Sequence, residues 1–264
     1  MSDAILAAHG LVFTHASAPA PLFRGLSLSV SRGEFAGIIG PNGSGKTTLL
    51  MLLSGVVAPQ AGEVSLDGRP VRSIPPRERA RQMAVVFQES RMLFDFTVLE
   101  IALMGRAPHL GPFSLERPED FAAARAALHE MDLAGREEKR LQELSSGERQ
   151  RALIARALAQ QPRVVLMDEP TAFLDLRHRL QIYEILARLN RDKGLTVVTT
   201  SHDLNLAARY GSRLMVLDDG HLAADGPPET VLTPRLLREV YETEARIERD
   251  PVTGAPFVIP IAPL

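Results

Sequence analysis

Gly40-Pro41-Asn42-Gly43-Ser44-Gly45-Lys46-Thr47 fits G-x-x-x-x-G-K-[ST] at every fixed position. The chemistry this pattern serves is the holding of a triphosphate. Glycines let the backbone wrap closely and turn N–H groups inward as an anion nest. A helix starting at the end of the loop adds its positive N-terminal pole. Lys46 would then bridge the β- and γ-phosphates and the Thr47 hydroxyl would ligate Mg²⁺, with Thr48 in the same nucleotide-binding set. A glycine-rich turn without a ligand is the plainer reading, but such a turn does not need Lys-Thr at its end.

A second group of residues complements the first. Val164–Met167 is a continuous apolar run that ends in Asp168-Glu169. A buried strand delivering acids at its C-terminal edge places them where open α/β sheets bind ligands. Asp168 would hold Mg²⁺, and Glu169, pointing differently, would orient or deprotonate an attacking water. The bland reading is a solvated strand end, which the phosphate loop upstream makes less economical.

These groups need elements to carry them. Phe35–Ile39 reads as the strand before the loop and Thr47–Ser54, full of leucines, as the helix after it. Leu26–Val30 and Met83–Phe87 are further strands, and Val64–Leu66 and Pro70–Val71 flank Asp67-Gly68, a strong hairpin cue. From about Thr97 to Gln142 the chain turns helical, through Val98–Leu103 and an Ala-rich run over Phe121–Met131. The intervening Arg106–Pro118 has three prolines and a glycine and reads as a loop. The expectation is one α/β domain over 1–264, with a helical subdomain inserted at about 90–150. Helix Arg149–Gln160, strand Val164–Met167, helix Leu176–Asn190, strand Leu195–Thr200, helix Leu204–Arg209 and strand Arg213–Leu217 then alternate, which predicts right-handed crossovers and a parallel sheet. A short extension over about 230–264 would hold a helix (Pro234–Tyr241) and a hairpin around Pro251–Gly254.

Composition narrows the function. The 264 residues carry a net charge of −2, with pI near 6.4, so no bulk field favours nucleic acid or anionic lipid. There is no cysteine, which excludes disulfides, thiolate catalysis and Cys-based metal sites. No run of 18 apolar residues occurs, and the N-terminus lacks a signal-peptide pattern. A cytoplasmic protein that meets a membrane only through a partner is expected.

Leu144-Ser145-Ser146-Gly147-Glu148-Arg149-Gln150 resembles the LSGGQ signature of ABC-type ATPases, departing from it at Ser146 and Glu148. Other family elements follow in order over nearly the whole chain. Gln88 resembles the Q-loop glutamine, Thr171-Ala172-Phe173-Leu174-Asp175 the D-loop, and His202 the switch histidine. The resemblance implies an α/β P-loop NTPase core with an antiparallel β subdomain and an inserted helical subdomain. It also implies ATP and Mg²⁺ as ligands, with Gln88 contacting Mg²⁺ and water and His202 the γ-phosphate. Two copies would pair head to tail, so that Ser145 and the Gly147 N–H of one touch the γ-phosphate held by the other, with Asp175 beside it. His15 falls where the family stacks an aromatic on adenine, with Phe13 on the same strand face.

A single phosphate loop, no heptad segment and no fused span are similar to stand-alone importer cassettes. Phe94–Glu100, Met104–His109, Ala224–Pro228 and Asp250–Gly254 resemble the group that imports ferric siderophores, cobalamin and haem. That resemblance implies integral-membrane permease subunits, a substrate-binding protein, and a place on the cytoplasmic face of the inner membrane. The alternatives are a cassette for another solute, or a non-transport ATPase of DNA metabolism or regulation.

Overall fold

The computed structural model describes residues 4–16, 18–88, 95–111 and 114–264. Phe94, which opens the Phe94–Glu100 stretch, and Pro112 and Phe113, in the expected Arg106–Pro118 loop, lie outside the described residues. Strands β1 (Ala4–Phe13) and β2 (Phe23–Ser31) are followed by β3 (Phe35–Ile39) and helix α1 (Lys46–Leu53). A hairpin of β4 (Ala61–Leu66) and β5 (Arg69–Pro70) turns at Asp67 and Gly68. Their φ values of 54° and 73° are what a tight two-residue hairpin turn demands. Next come α2 (Pro76–Gln82), β6 (Met83–Val86), α3 (Val98–Met104), α4 (Pro118–Glu130), α5 (Ser146–Ala159), β7 (Val164–Met167) and α6 (Leu176–Lys193). The remainder is β8 (Thr196–Thr200), α7 (Leu204–Tyr210), β9 (Arg213–Asp218), β10 (His221–Gly226), α8 (Pro228–Val231), α9 (Pro234–Tyr241), β11 (Thr243–Arg249) and β12 (Pro256–Pro263).

Two compact units share the chain: Met1–Ser73 with Thr196–Leu264, and Ile74–Leu195. In the first, β3 lies between β8 and β9 and parallel to both, with Ile38 opposite Thr200 and Met215. Every residue of β3 and of β8 is buried, as the continuous apolar or threonine-rich runs require of strands covered on both faces. β10 adds antiparallel to β9, and a separate antiparallel sheet has the order β2-β1-β4-β5. Arg213 fastens this part together. Its guanidinium donates to both Asp225 oxygens (2.6 and 2.7 Å) and to the Ser29 carbonyl (3.0 Å), and the Asp225 bonds hold its pKa above the ordinary arginine value. The C-terminal elements are packed rather than loose. Val231, Leu236, Leu237 and Val258 join Ile39, Leu214 and Val216 in one apolar cluster. Asn205 serves β12 as a strand would, donating to the Val258 carbonyl (3.1 Å) and accepting its N–H (2.7 Å).

In the second unit, β6 and β7 run parallel, Val86 opposite Met167, and helices α3, α4 and α5 pack on one another. This unit is wider than the helical stretch expected from sequence, because it takes in both strands and α6. The Met104–His109 stretch has a structural use here. Arg106, 5% exposed, donates through Nε to Asp120 (3.0 Å) and through Nη1 to the Ala159 carbonyl (2.7 Å). One side chain therefore joins the end of α3 to the start of α4 and the end of α5. Asp120 is fully buried and also accepts the Arg117 N–H (3.0 Å). That bond foremost, then Arg106, holds its carboxyl below the usual range. Removing one partner of a buried pair leaves the other charge uncompensated. Asp120→Ala should therefore destabilise the chain by about 3–5 kcal/mol in denaturant unfolding. Because the folded-state pKa is depressed, this stabilisation is complete above the unfolded value of about 4 and is lost as pH falls through the folded value. Among the described residues, no helix is long and apolar enough to cross a membrane.

Candidate functional site

The phosphate loop leaves β3 at Gly40, whose φ is 152° and where an added Cβ would lie 2.1 Å from the Leu217 carbonyl oxygen. Only glycine fits there. Pro41, Asn42 and Gly43 carry the loop through solvent, and Gly45, left-handed at φ 101°, stands at the head of α1 with no side-chain cap. Lys46, 6% exposed, curls back so that Nζ donates to the carbonyls of Gly40 and Pro41, both at 2.9 Å. Thr47 is exposed and Thr48 buried. The Ser44 hydroxyl is buried and has no hydrogen-bond partner among the described residues. An orphaned hydroxyl inside a glycine cradle is a group that a phosphate oxygen would satisfy.

Two histidines belong to this half. His15 Nε2 lies 3.2 Å from Thr48 Oγ1, and its ring stands edge-on to Phe13 at 5.0 Å. The sequence placed His15 on the same strand face as Phe13, but β1 ends at Phe13 and His15 lies in the stretch beyond it. His202 follows β8, and the Ser201 N–H donates to the Ile38 carbonyl (3.1 Å), so His202 and the loop leave neighbouring parallel strands at the same edge. Ser201 Oγ accepts the Asp203 N–H (3.0 Å), a local turn that fixes the exposed His202 between them.

The acidic half follows the same logic in the other unit. Asp168, 2% exposed, directly follows β7 and donates its N–H to the Val86 carbonyl (2.8 Å). Glu169 adopts φ 47°, unusual for a non-glycine residue. Its Oε2 accepts a hydrogen bond from Gln88 Nε2 at 3.3 Å. Because β6 and β7 are parallel neighbours, Gln88 and Glu169 emerge together. The strand pair brings two expected site residues into contact.

Ser145 and Gly147 open α5. Ser145 is the N-cap: Oγ accepts the Glu148 N–H (3.2 Å) while Glu148 Oε2 accepts both the Ser145 N–H and its hydroxyl (3.0 Å each). The Ser145 N–H is the main cause holding Glu148 below its ordinary pKa. Glu148, which stands where the resembled signature has Gln, thus closes a capping box with Ser145. Ser146 is exposed, and the close approach falls instead on Gly147, where an added Cβ would meet the His178 ring at 2.2 Å. Asp175 caps α6 by accepting the His178 N–H (3.0 Å), which holds its carboxyl low, and both its oxygens lie 2.9 Å from His178 Nδ1. The sequence did not single out His178, nor within the D-loop Phe173, which is 90% exposed with φ 61°. The i, i+3 spacing of Asp175 and His178 was the only signal available.

A strand, a glycine loop closed by Lys-Thr and a helix, with acids ending a second parallel strand, define a P-loop NTPase. The family described as ABC transporter matches residues 23–172, and the chain belongs to it as an ABC ATPase. Among its relatives is the ferric enterobactin transport ATP-binding protein FepC of Escherichia coli (strain K12), 39% identical over 89% of this chain and 87% of that one. Another is the hemin import ATP-binding protein HmuV of Nocardia farcinica (strain IFM 10152), 43% identical over 97% and 89%. A solved structure, the dimeric post-hydrolysis state of the ATP-binding cassette MJ0796 bound to ADP and Pi, superposes with a TM-score of 0.74 at 29% identity. It covers 84% of this chain and 98% of its own.

Proposed function

We propose that this chain is the ATP-hydrolysing subunit that energises import of a large metal chelate, an iron chelate first among them, through a separate integral-membrane permease. Similarity along nearly the whole chain to import ATP-binding subunits for ferric enterobactin and hemin carries the reading. Gly40 to Thr48 hold the phosphates of ATP, with the Ser44 hydroxyl as a donor and Lys46 as the compensating charge, and His15 lies against the base. Thr47, Gln88 and Asp168 would hold Mg²⁺, which when bound would offset phosphate charge. Glu169 takes a proton from the attacking water, and the hydrogen bond it accepts from Gln88 ties that carboxylate to a second residue of the site. His202 donates to the γ-phosphate, steadying the charge that develops there.

Two copies pair head to tail, so Ser145 and Gly147 of one meet the γ-phosphate bound by the other, next to Asp175. The similar cassette solved as a dimer bound to ADP and Pi supports the pairing of two copies. ATP binding closes the pair and hydrolysis reopens it by removing the γ-phosphate contacts. A substrate-binding protein delivers the chelate, and the subunit sits on the cytoplasmic face of the inner membrane through its permease.

Reconstitution with the permease in liposomes tests the assignment. ATP turnover should rise when a ferric siderophore or haem is supplied with its binding protein. Stimulation by DNA, with none by any metal chelate, would favour the non-transport alternative.

A further inference from the structure

We propose that His178 is a positioning residue for ATP turnover, fixing the start of the signature helix to the carboxylate of Asp175. The proposal rests on the reading of Ser145 and Gly147 as nucleotide contacts.

Three observations carry it. The His178 ring occupies the space a side chain at position 147 would take: an added Cβ would lie 2.2 Å from Cδ2, 2.3 Å from Cγ and 2.8 Å from Cβ. The first turn of α5 therefore rests on the imidazole. The ring is itself held, because Nδ1 lies 2.9 Å from each Asp175 oxygen, which requires a proton on Nδ1 donated to that carboxylate. Finally, capping of α6 needs only the backbone N–H of residue 178, which any residue but proline supplies. The imidazole is superfluous to the cap, so its bond to Asp175 serves the contact with α5. Asp175 closes the Thr171–Asp175 segment, so a displacement of that segment moves the ring, and the ring moves Ser145 and Gly147.

A misplacement of about 1 Å at a nucleotide contact is enough to lower turnover strongly without touching the phosphate loop. His178→Phe fills the ring volume but deletes the donor, whereas His178→Asn retains an N–H near the Nδ1 position. In the permease complex, His178→Phe should lower kcat by about tenfold with KM for ATP changed by less than about twofold, and His178→Asn should stay within about threefold of the parent. Thermal unfolding midpoints of the isolated subunits should be alike. Parental kcat in His178→Phe, equal losses in both variants, or a loss that tracks a lowered midpoint would each overturn the proposal. If His178→Phe does not fold, His178→Ala takes its place against His178→Asn. Ser145→Ala in the same assay separates the two levels. Normal turnover there sinks the signature reading itself, while an inactive Ser145→Ala beside a fully active His178→Phe removes only the role of His178.

Discussion

Glu169→Gln should bind ATP as the parent does and hydrolyse it on the order of 10²–10⁴ times more slowly, the range lost when a positioned general base is removed. The side chain keeps its length, and the amide oxygen still offers Gln88 Nε2 the acceptor that the carboxylate provides at 3.3 Å. What disappears is the capacity to take a proton from water. With hydrolysis stalled, the γ-phosphate contacts persist and the ATP-loaded pair should accumulate, visible as a dimer by sedimentation. Phosphate release at the parental rate would show that another group activates the water. The strained φ of 47° at Glu169 would then need a different explanation.

Lys46→Ala should weaken ATP binding by about a hundredfold, on the order of 3 kcal/mol, as truncating one partner of a buried charged contact does. Lys46 is 6% exposed and its ammonium rests on the Gly40 and Pro41 carbonyls, so it holds the loop's shape as well as being placed to compensate phosphate charge. Lys46→Arg keeps the charge, but its planar fork cannot reproduce those two bonds, so it should bind ATP poorly as well. Calorimetric titration with Mg-ATP reads both variants. Affinity within twofold of the parent would count against the loop as the phosphate site.

Much of this was legible in the residues. β3 and β7 fall on the expected Phe35–Ile39 and Val164–Met167 because a run of apolar residues bounded by a glycine loop or by acids leaves little choice of ends. The Asp67-Gly68 hairpin was equally readable. Other elements gave weak signals. β1 is interrupted by a register shift between Ala8 and Leu11, which breaks the alternation that marks a strand. β10, His221–Gly226, has little strand propensity of its own and is held by pairing with β9 and by the Arg213–Asp225 bond. α2, Pro76–Gln82, buries no residue, so it has no apolar face to announce it. α5 begins at Ser146, three residues before the expected Arg149, because the capping box of Ser145 and Glu148 recruits another turn.

The site residues divide along the same line. Local motifs, the loop and the strand-end acids, can be read from neighbouring residues. The Gln88–Glu169 bond depends on β6 lying beside β7, and the Gly147–His178 contact on α5 lying against α6. Neither is written in any short stretch. His15 illustrates the limit: its ring does lie near α1, but in the stretch after the strand rather than on it.

The absence of cysteine permits a direct test of head-to-tail pairing. In the Glu169→Gln chain, Asn42→Cys on the glycine loop and Ser146→Cys at the start of α5 place one thiol on each surface, both exposed. Oxidation with Mg-ATP present should give a disulfide-linked dimer through Asn42→Cys of one copy and Ser146→Cys of the other, and none without nucleotide. A failure to cross-link with ATP bound, or a cross-link indifferent to ATP, would contradict the shared nucleotide on which the mechanism depends.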